Sequence, residues 1–150
     1  MNVAFTDLTP EGKRYFAELN KLCELVVKVG YQAGDATYDD GTDITEVAAM
    51  NEYGGSDRPA RPFMKTSFTE NEDKLHAACD AVNHAINGGS SAEAALKTLG
   101  VTVKGIVQEH IVEGGFAPNA PSTIARKGSA QPLIDTGLMR QSVNYVVEKG

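Results

Sequence analysis

Apolar residues recur at helical spacing in three long stretches of the chain and predict an amphipathic helix in each. The first helix is predicted to begin at Pro10 behind a capping Thr9, because proline suits the first helical position and threonine the cap. The second extends from about residue 64 or 69 to 86, and the third from 91 to about 113. Gly100 lies inside the third helix, where glycine costs about 1 kcal/mol relative to alanine, so we expect a kink or a break there.

Both cysteines of the chain fall on apolar helix stripes. The stripe of the first helix consists of Phe16, Leu19, Leu22 and Cys23, and that of the second consists of Phe68, Leu75, Cys79, Val82 and Ile86. A cysteine in such a stripe is predicted to be a small buried hydrophobic residue. Since two distant cysteines are not the framework of a small secreted protein, a reducing compartment fits the chain best.

Two segments alternate in polarity and predict strands. In residues 25–31 and again in residues 142–148 the odd positions are all apolar, whereas most even positions are polar or glycine. We expect both segments to belong to one antiparallel sheet that turns its apolar face to the helices. The pattern therefore predicts an α+β fold, with a small antiparallel sheet packed against amphipathic helices.

Turn and capping residues predict the structure between the first strand and the second long helix. Asp39-Asp40-Gly41 favours a tight reversal, so residues 36–38 and 42–44 are expected to pair across it. Asp43, followed three residues later by Glu46, is typical of the start of a short helix. Gly54 is expected to end that helix, because glycine readily adopts the left-handed conformation found there.

Length and charge indicate one acidic domain. The chain has 150 residues, enough for a hydrophobic core, and residues 1–150 are expected to form a single domain. A total of 14 basic and 20 acidic residues gives a net charge of −6, which disfavours a protein whose main task is to bind nucleic-acid phosphates. With no signal-peptide pattern and no apolar run near about 18 residues, the chain is expected to be neither secreted nor membrane-spanning.

The histidines give weak support for a metal or catalytic site. His76, Asp80 and His84 are spaced as on a metal-binding helix, but they drift away from the apolar stripe, which predicts a solvent-exposed face. His110 lies on the apolar side of its helix, which favours a core or interface histidine with satisfied nitrogens. We therefore expect no metal and no other cofactor.

Motifs for nucleophilic or phosphate chemistry are no stronger. The sequence has no Gly-x-Ser-x-Gly, and Gly88-Gly89-Ser90-Ser91 lacks the lysine of a phosphate-binding loop. Asp135-Thr136-Gly137 matches the catalytic tripeptide of aspartic proteases, but a tripeptide arises readily by chance, and a single-lobed protease would need a homodimer. The start of a helical turn is the favoured interpretation, and no enzymatic activity is expected.

Basic residues gather in or near two proline-rich segments. The first follows Tyr53-Gly54-Gly55 and reads Arg58-Pro59-Ala60-Arg61-Pro62-Phe63, which predicts a loop of fixed backbone geometry. The second belongs to the long polar stretch 114–131, which we expect to be a flexible arm. Because arginine and aromatic residues are typical of protein interfaces, the candidate contact residues are Arg61, Phe63, Arg126 and Lys127.

In order along the chain, these segments resemble a family of small proteins that complete the tails, or join heads to tails, in long-tailed bacteriophages and prophages. The motifs that carry the resemblance are Val29-Gly30, Asn51-Glu52-Tyr53-Gly54, Arg61-Pro62-Phe63, Thr123-Ile124-Ala125-Arg126-Lys127-Gly128 and Asp135-Thr136-Gly137-Leu138. Their order and spacing extend the resemblance over nearly the whole chain.

The resemblance implies a tail-completion or tail-terminator subunit with a tail-terminator-like fold. The resemblance implies that such subunits form a ring at the head-proximal end of the tail, and a hexamer is the expected form here. It also implies contacts with other tail and head-connector proteins. The expected location is the cytoplasm of the bacterial host during assembly and then the virion tail. Neither specific nucleic-acid binding nor membrane association is expected.

Two other classes of function stay open at the level of sequence. A nucleic-acid-associated or regulatory binding module of a mobile element would need a basic face despite the negative net charge. Its candidate residues are Arg58, Arg61, Arg126, Lys127 and Arg140. An enzyme ranks third, because the candidate motifs are weak.

Overall fold

Six helices and one antiparallel pair of strands make up residues 8–113 and 137–150, the part of the chain that the computed structural model describes. In chain order the elements are α1 (Pro10–Glu24), β1 (Leu25–Gly30), α2 (Ile44–Tyr53), α3 (Phe63–Glu70), α4 (Glu72–Asn87), α5 (Ala92–Glu113), α6 (Leu138–Ser142) and β2 (Asn144–Lys149). The fold class is α+β, as the residue pattern predicted. The arm expected at residues 114–131 lies outside the described residues.

The two predicted strands form one antiparallel sheet. Val27 pairs with Val147 and Val29 pairs with Tyr145, so the odd positions of both strands share a face. The first of these pairs packs on a core cluster of α4 and α5, whereas Lys28 on the other face is exposed. The prediction of one sheet with its apolar face against the helices is confirmed.

The central element is α5, because both core clusters are built on it. One cluster joins α5 to α2, α3, α6 and the residue between α6 and β2, and it comprises Ile44, Ala48, Phe63, Val107, Ile111, Met139 and Val143. The other joins α5 to α4 and comprises Val82, Ile86, Ala92, Ala95 and Leu96. The expected break at Gly100 is wrong: α5 continues through this residue, which is buried. Gly100 packs directly against the ring of Tyr145.

The predicted caps and the reversal before α2 are confirmed. Oγ1 of Thr9 accepts a hydrogen bond from the N–H of Gly12 at 3.1 Å, which caps α1. The N–H of Tyr38 donates to the carbonyl of Thr42 at 2.9 Å, which closes the reversal. Gly54 follows the last residue of α2, as expected.

The second long helix of the prediction is in fact two helices, α3 and α4, which meet at Asn71. The side-chain amide of Asn71 donates to the carbonyl of Ser67 at 2.8 Å, and its backbone, with φ −120° and ψ 26°, leaves the helical region. An asparagine side chain that bonds a nearby carbonyl competes with regular helical structure. The break lets α3 pack on α5 separately from α4.

The prediction that Cys23 and Cys79 are buried is wrong, because both are exposed. No residue of α1 is fully buried, and this helix contacts the core through Tyr15 and Leu22. The buried residues of α4 all lie towards its C-terminal end. Periodicity identified the apolar side of each helix, but neighbouring elements cover only part of that side.

Candidate interaction surface

A carboxylate fixes the point where α2 begins. Oδ1 of Asp43 accepts from the N–H of Thr45 at 2.9 Å, and Oδ2 accepts from the N–H of Gly34 at 2.8 Å. These hydrogen bonds, those from Thr45 first, lower the pKa of Asp43 below its ordinary value. With its start held in this way, α2 turns Ile44 into the core and leaves Tyr53 at its other end exposed.

Directly after Tyr53 the chain makes a sharp corner that requires glycine. Gly54 has a φ of +70°, and a Cβ at this position would lie 2.6 Å from the backbone nitrogen of Ala60. A side chain would therefore be strained in its backbone and would also collide with the returning chain. Gly55 and Arg58 exchange two backbone hydrogen bonds, of 3.0 and 3.4 Å, that close the turn at the tip of the corner.

Two contacts tie the far side of the corner back to α2. The backbone N–H of Arg61 donates to the carbonyl of Asn51 at 2.6 Å. The carboxylate of Glu52 accepts from the N–H groups of Met64 and Lys65 at 2.9 and 3.0 Å. The residue before α3 is a proline without a capping side chain, so Glu52 caps the positive end of α3 in its place.

The side chains presented here include an aromatic ring and two guanidinium groups, and we call Tyr53, Arg58 and Arg61 the basic corner. The exposed carboxylate of Asp57 lies 4.0 Å from Nε of Arg58. Tyr53 is 82% exposed, the side chain of Arg58 is 52% exposed, and Arg61 is half-buried. Burial, and then the positive charge of Arg58, lower the pKa of Arg61. Arg61 stays protonated because the pKa of arginine lies far above neutral, so two positive charges are close together at this corner.

Of the four predicted interface residues, two lie in the described part of the chain. Arg61 belongs to the basic corner. Phe63 is fully buried in the core cluster shared with α5, so the expectation of an aromatic anchor at the surface is corrected. Its ring packs edge-on against Tyr31, with the ring centroids 6.0 Å apart, and supports the corner from the core side. Arg126 and Lys127 lie outside the described residues.

Sequence reasoning missed Tyr53 as a contact residue. It is more exposed than any other large hydrophobic side chain of residues 8–113 and 137–150. The signal was present in the sequence, because on a helical wheel Tyr53 lies about 140° from Ala48 and about 180° from Ile44. Both of those residues are buried, so Tyr53 lies on the side of α2 that faces away from the core.

A threonine, a histidine and a glutamate between α3 and α5 superficially resemble a catalytic triad. Nε2 of His110 is 2.6 Å from Oγ1 of Thr66, and Nδ1 is 3.7 Å from Oε2 of Glu70. The Thr66 hydroxyl, however, already donates to the carbonyl of Pro62 at 2.8 Å. The ring nitrogen must then donate to Oγ1, whereas a general base would accept that proton. His110 thus ties α5 to α3, as predicted for a core histidine.

The other residues considered for metal binding lie on the exposed side of α4. His76, Asp80 and His84 are all exposed, which confirms the solvent-exposed face predicted for them. Within the described ranges, no group of three histidine, cysteine or acidic residues is arranged to hold a metal ion. No helix in this part of the chain is long and apolar enough to cross a membrane.

Comparison of the chain with known protein families, with curated proteins and with solved structures gave no match.

Proposed function

We propose that this chain is a structural subunit of a long-tailed phage or prophage, and that it is not an enzyme. Its role would be that of a tail-completion or tail-terminator protein with a tail-terminator-like fold. The ordered motifs from Val29-Gly30 to Asp135-Thr136-Gly137-Leu138 support this proposal. The α+β architecture, with a small antiparallel sheet against helices, is compatible with it.

The observation that carries the proposal is the basic corner. Tyrosine and arginine are the residues most often found at the energetic centres of protein interfaces, and Tyr53 and Arg58 are both exposed. Their backbone is held before any partner binds, by the constrained Gly54 and by the hydrogen bond from Arg61 to Asn51. A preorganised surface loses little conformational entropy on binding, which suits a subunit that assembles repeatedly.

The proposed partners are other copies of this chain, in a ring for which we expect six subunits, and the neighbouring tail and head-connector proteins. On sequence grounds, Arg126 and Lys127 are proposed as contacts of the second proline-rich segment. A net charge of −6 suits a ring through which DNA passes without adhering. The proposed location is the host cytoplasm during assembly and the virion tail afterwards.

Two measurements test this function. Light scattering coupled to gel filtration, over a range of concentrations and with purified tail tubes, should detect a closed ring. A complementation assay for infectious particles should fail with Arg61→Glu although thermal unfolding is nearly unchanged. Lys97→Glu is the matched control, because Lys97 is an exposed residue of α5 and the charge change is the same.

A strict monomer, even when incubated with tail tubes, would contradict the proposed function. Normal particle assembly with Arg61→Glu, or unfolding of the domain by this substitution, would contradict the role of the basic corner. Binding to nucleic acid that weakens steeply with salt would instead favour the alternative, a nucleic-acid-associated module.

A further inference from the structure

A second charged surface lies at the other end of α3, and it is acidic. Glu109 and Glu113 are one turn apart near the end of α5, and Glu70 is the last residue of α3. Together these carboxylates line an opening of about 200 Å³. Nε2 of the buried His110 donates to Oγ1 of Thr66 at 2.6 Å, which holds α3 near this part of α5. We call Glu70, Glu109 and Glu113 the acidic end.

The acidic end holds three carboxylates, and the two basic side chains nearest to them do not pair with them. The last turn of α5 is the negative pole of the helix dipole, and acidic side chains at this pole add to its field. Among the described residues, the side chains of Glu109 and Glu113 form neither a hydrogen bond nor an ion pair. Lys74 lines the same opening and Arg140 lines the neighbouring groove, but neither forms an ion pair with Glu109 or Glu113. The carboxylates of Glu109 and Glu113 are therefore open to a cation from another molecule.

The basic corner and the acidic end are separate patches at opposite ends of one helix. The 8 residues of α3 begin at Phe63, directly after the corner, and end at Glu70. An α-helix of this length spans about 12 Å. The helix is held at its first turn by Glu52 and, through Thr66, by His110 of α5. Both patches are thus presented at a fixed spacing, from which each can contact a different neighbour.

We infer that the basic corner of one subunit binds the acidic end of the next copy of this chain. The inference rests on the proposed function and names the surface with which the basic corner interacts. The guanidinium group of Arg58 donates charge-assisted hydrogen bonds to Glu109 and Glu113, because its planar fork suits carboxylate oxygens. The ring of Tyr53 covers the adjoining side of α5 at Gly105.

The surface of α5 has room for that ring. Gly105 lies one turn before Glu109, and a Cβ added to it would meet no atom of the described residues within 4 Å. Both residues line a groove of about 510 Å³ together with Val112. The ring of Tyr53 can therefore lie on an open, partly apolar surface while Arg58 binds the carboxylates next to that surface.

Charge favours a second copy of the chain as the occupant. Two subunits, each with a net charge of −6, repel each other on average, so only an orientation that joins opposite charges is favoured. The acidic end also repels nucleic acid. Because the two contacting patches differ, the contact is heterologous, and its repetition closes into a ring or extends into a filament.

The test reverses one charge on each side of the contact. Arg58→Glu and Glu113→Arg should each weaken self-association about tenfold or more, measured by light scattering or analytical ultracentrifugation. A 1:1 mixture of these two variants should associate again, because each contact between the two different variants pairs opposite charges at positions 58 and 113. Lys97→Glu and Glu93→Lys, which make the same charge changes in the first half of α5, should leave association unchanged.

The outcomes separate this inference from the proposed function. If Arg58→Glu dissociates the assembly while Glu113→Arg associates normally, the basic corner is an interface but the acidic end is not its partner. Failure of the 1:1 mixture to associate, with both variants folded by their melting curves, also overturns the pairing. A wild-type chain that is monomeric at every concentration, alone and with tail tubes, contradicts the proposed function itself.

Discussion

Gly100 of α5 and Tyr145 of β2 are packed so closely that a Cβ on the glycine would lie 2.3 Å from Cδ2 of the tyrosine ring. Carbon atoms in ordinary contact are about 3.5–4.0 Å apart. The absence of a side chain at Gly100 therefore brings the sheet against the central helix, which stays regular at this point. This contact joins β2 to the helix that also carries the acidic end.

Gly100→Ala should destabilise the protein although alanine is the better helix former. Alanine gains up to about 1 kcal/mol in helix propensity, but the overlap with Tyr145 forces the strand or the ring to move, at about 1–3 kcal/mol. Thermal or urea unfolding would measure the net loss. Gly105→Ala is the matched control on the same helix, where a Cβ meets open space, and it should stabilise by up to about 1 kcal/mol. Equal effects of the two substitutions would refute the steric explanation.

Phe63→Ala should cost about 3–5 kcal/mol of unfolding free energy, because the ring is fully buried between α2, α3 and α5. Tyr53→Ala removes an aromatic ring of similar size that is exposed, and it should change stability by no more than about 0.5 kcal/mol. Chemical denaturation of both variants makes the comparison. If the Phe63→Ala protein is as stable as the wild type but fails to associate, Phe63 is an interface anchor and its assignment to the core is wrong.

Glu52→Ala should loosen the basic corner without changing its exposed side chains. The substitution removes the acceptor for the N–H groups of Met64 and Lys65 and should cost about 1 kcal/mol, the usual loss for a helix cap. Self-association should also weaken, because the corner is no longer held in place. Glu52→Gln keeps an acceptor oxygen and should have smaller effects in both measurements. Loss of association in Glu52→Gln without any loss of stability would mean that Glu52 contacts the partner directly.

Asp43 should contribute to the loss of stability in acid. Hydrogen bonds from Thr45 and Gly34 lower its folded-state pKa below the ordinary 3.8. A depressed pKa gives stability that is present above the unfolded-state pKa and is lost as the pH falls through the folded-state pKa. Asp43→Asn keeps a capping oxygen but does not titrate, so its melting temperature should fall less between about pH 7 and about pH 3. Asp39→Asn, at an exposed position, should follow the wild-type profile.

Tyr31 should contribute to the loss of stability in alkali. Its hydroxyl donates to the carbonyl of Met139 at 2.8 Å, and burial raises its pKa well above the ordinary 10.0. For a raised pKa the stability is complete below the unfolded-state value and declines as the pH rises above it. Tyr31→Phe should cost about 1 kcal/mol at neutral pH and should flatten the alkaline decline. The exposed Tyr53 gives the control, since Tyr53→Phe should alter neither property.

Local signals in the sequence determined where several elements begin and end. Thr9 and Asp43 bind N–H groups within the first turn that follows them, and Gly54 supplies a backbone conformation that other residues adopt poorly. The predicted starts of α1 and α2 and the end of α2 are therefore correct. The alternation in residues 25–31 and 142–148 likewise determined the two strands and their shared apolar face. These effects act between near neighbours along the backbone, so they can be read from the sequence.

The tertiary structure alone decided which apolar residues are covered. Phe63 and Tyr53 flank the same loop, but Phe63 meets α5 whereas Tyr53 points away from every other element described. From the sequence alone, Gly100 was expected to interrupt the helix. Its role as a contact point depends on Tyr145, which is distant along the chain. The carboxylates of the acidic end come from α3 and α5, which the fold brings together. Burial and close approach depend on how all the elements pack at once, so periodicity within a single element does not determine them.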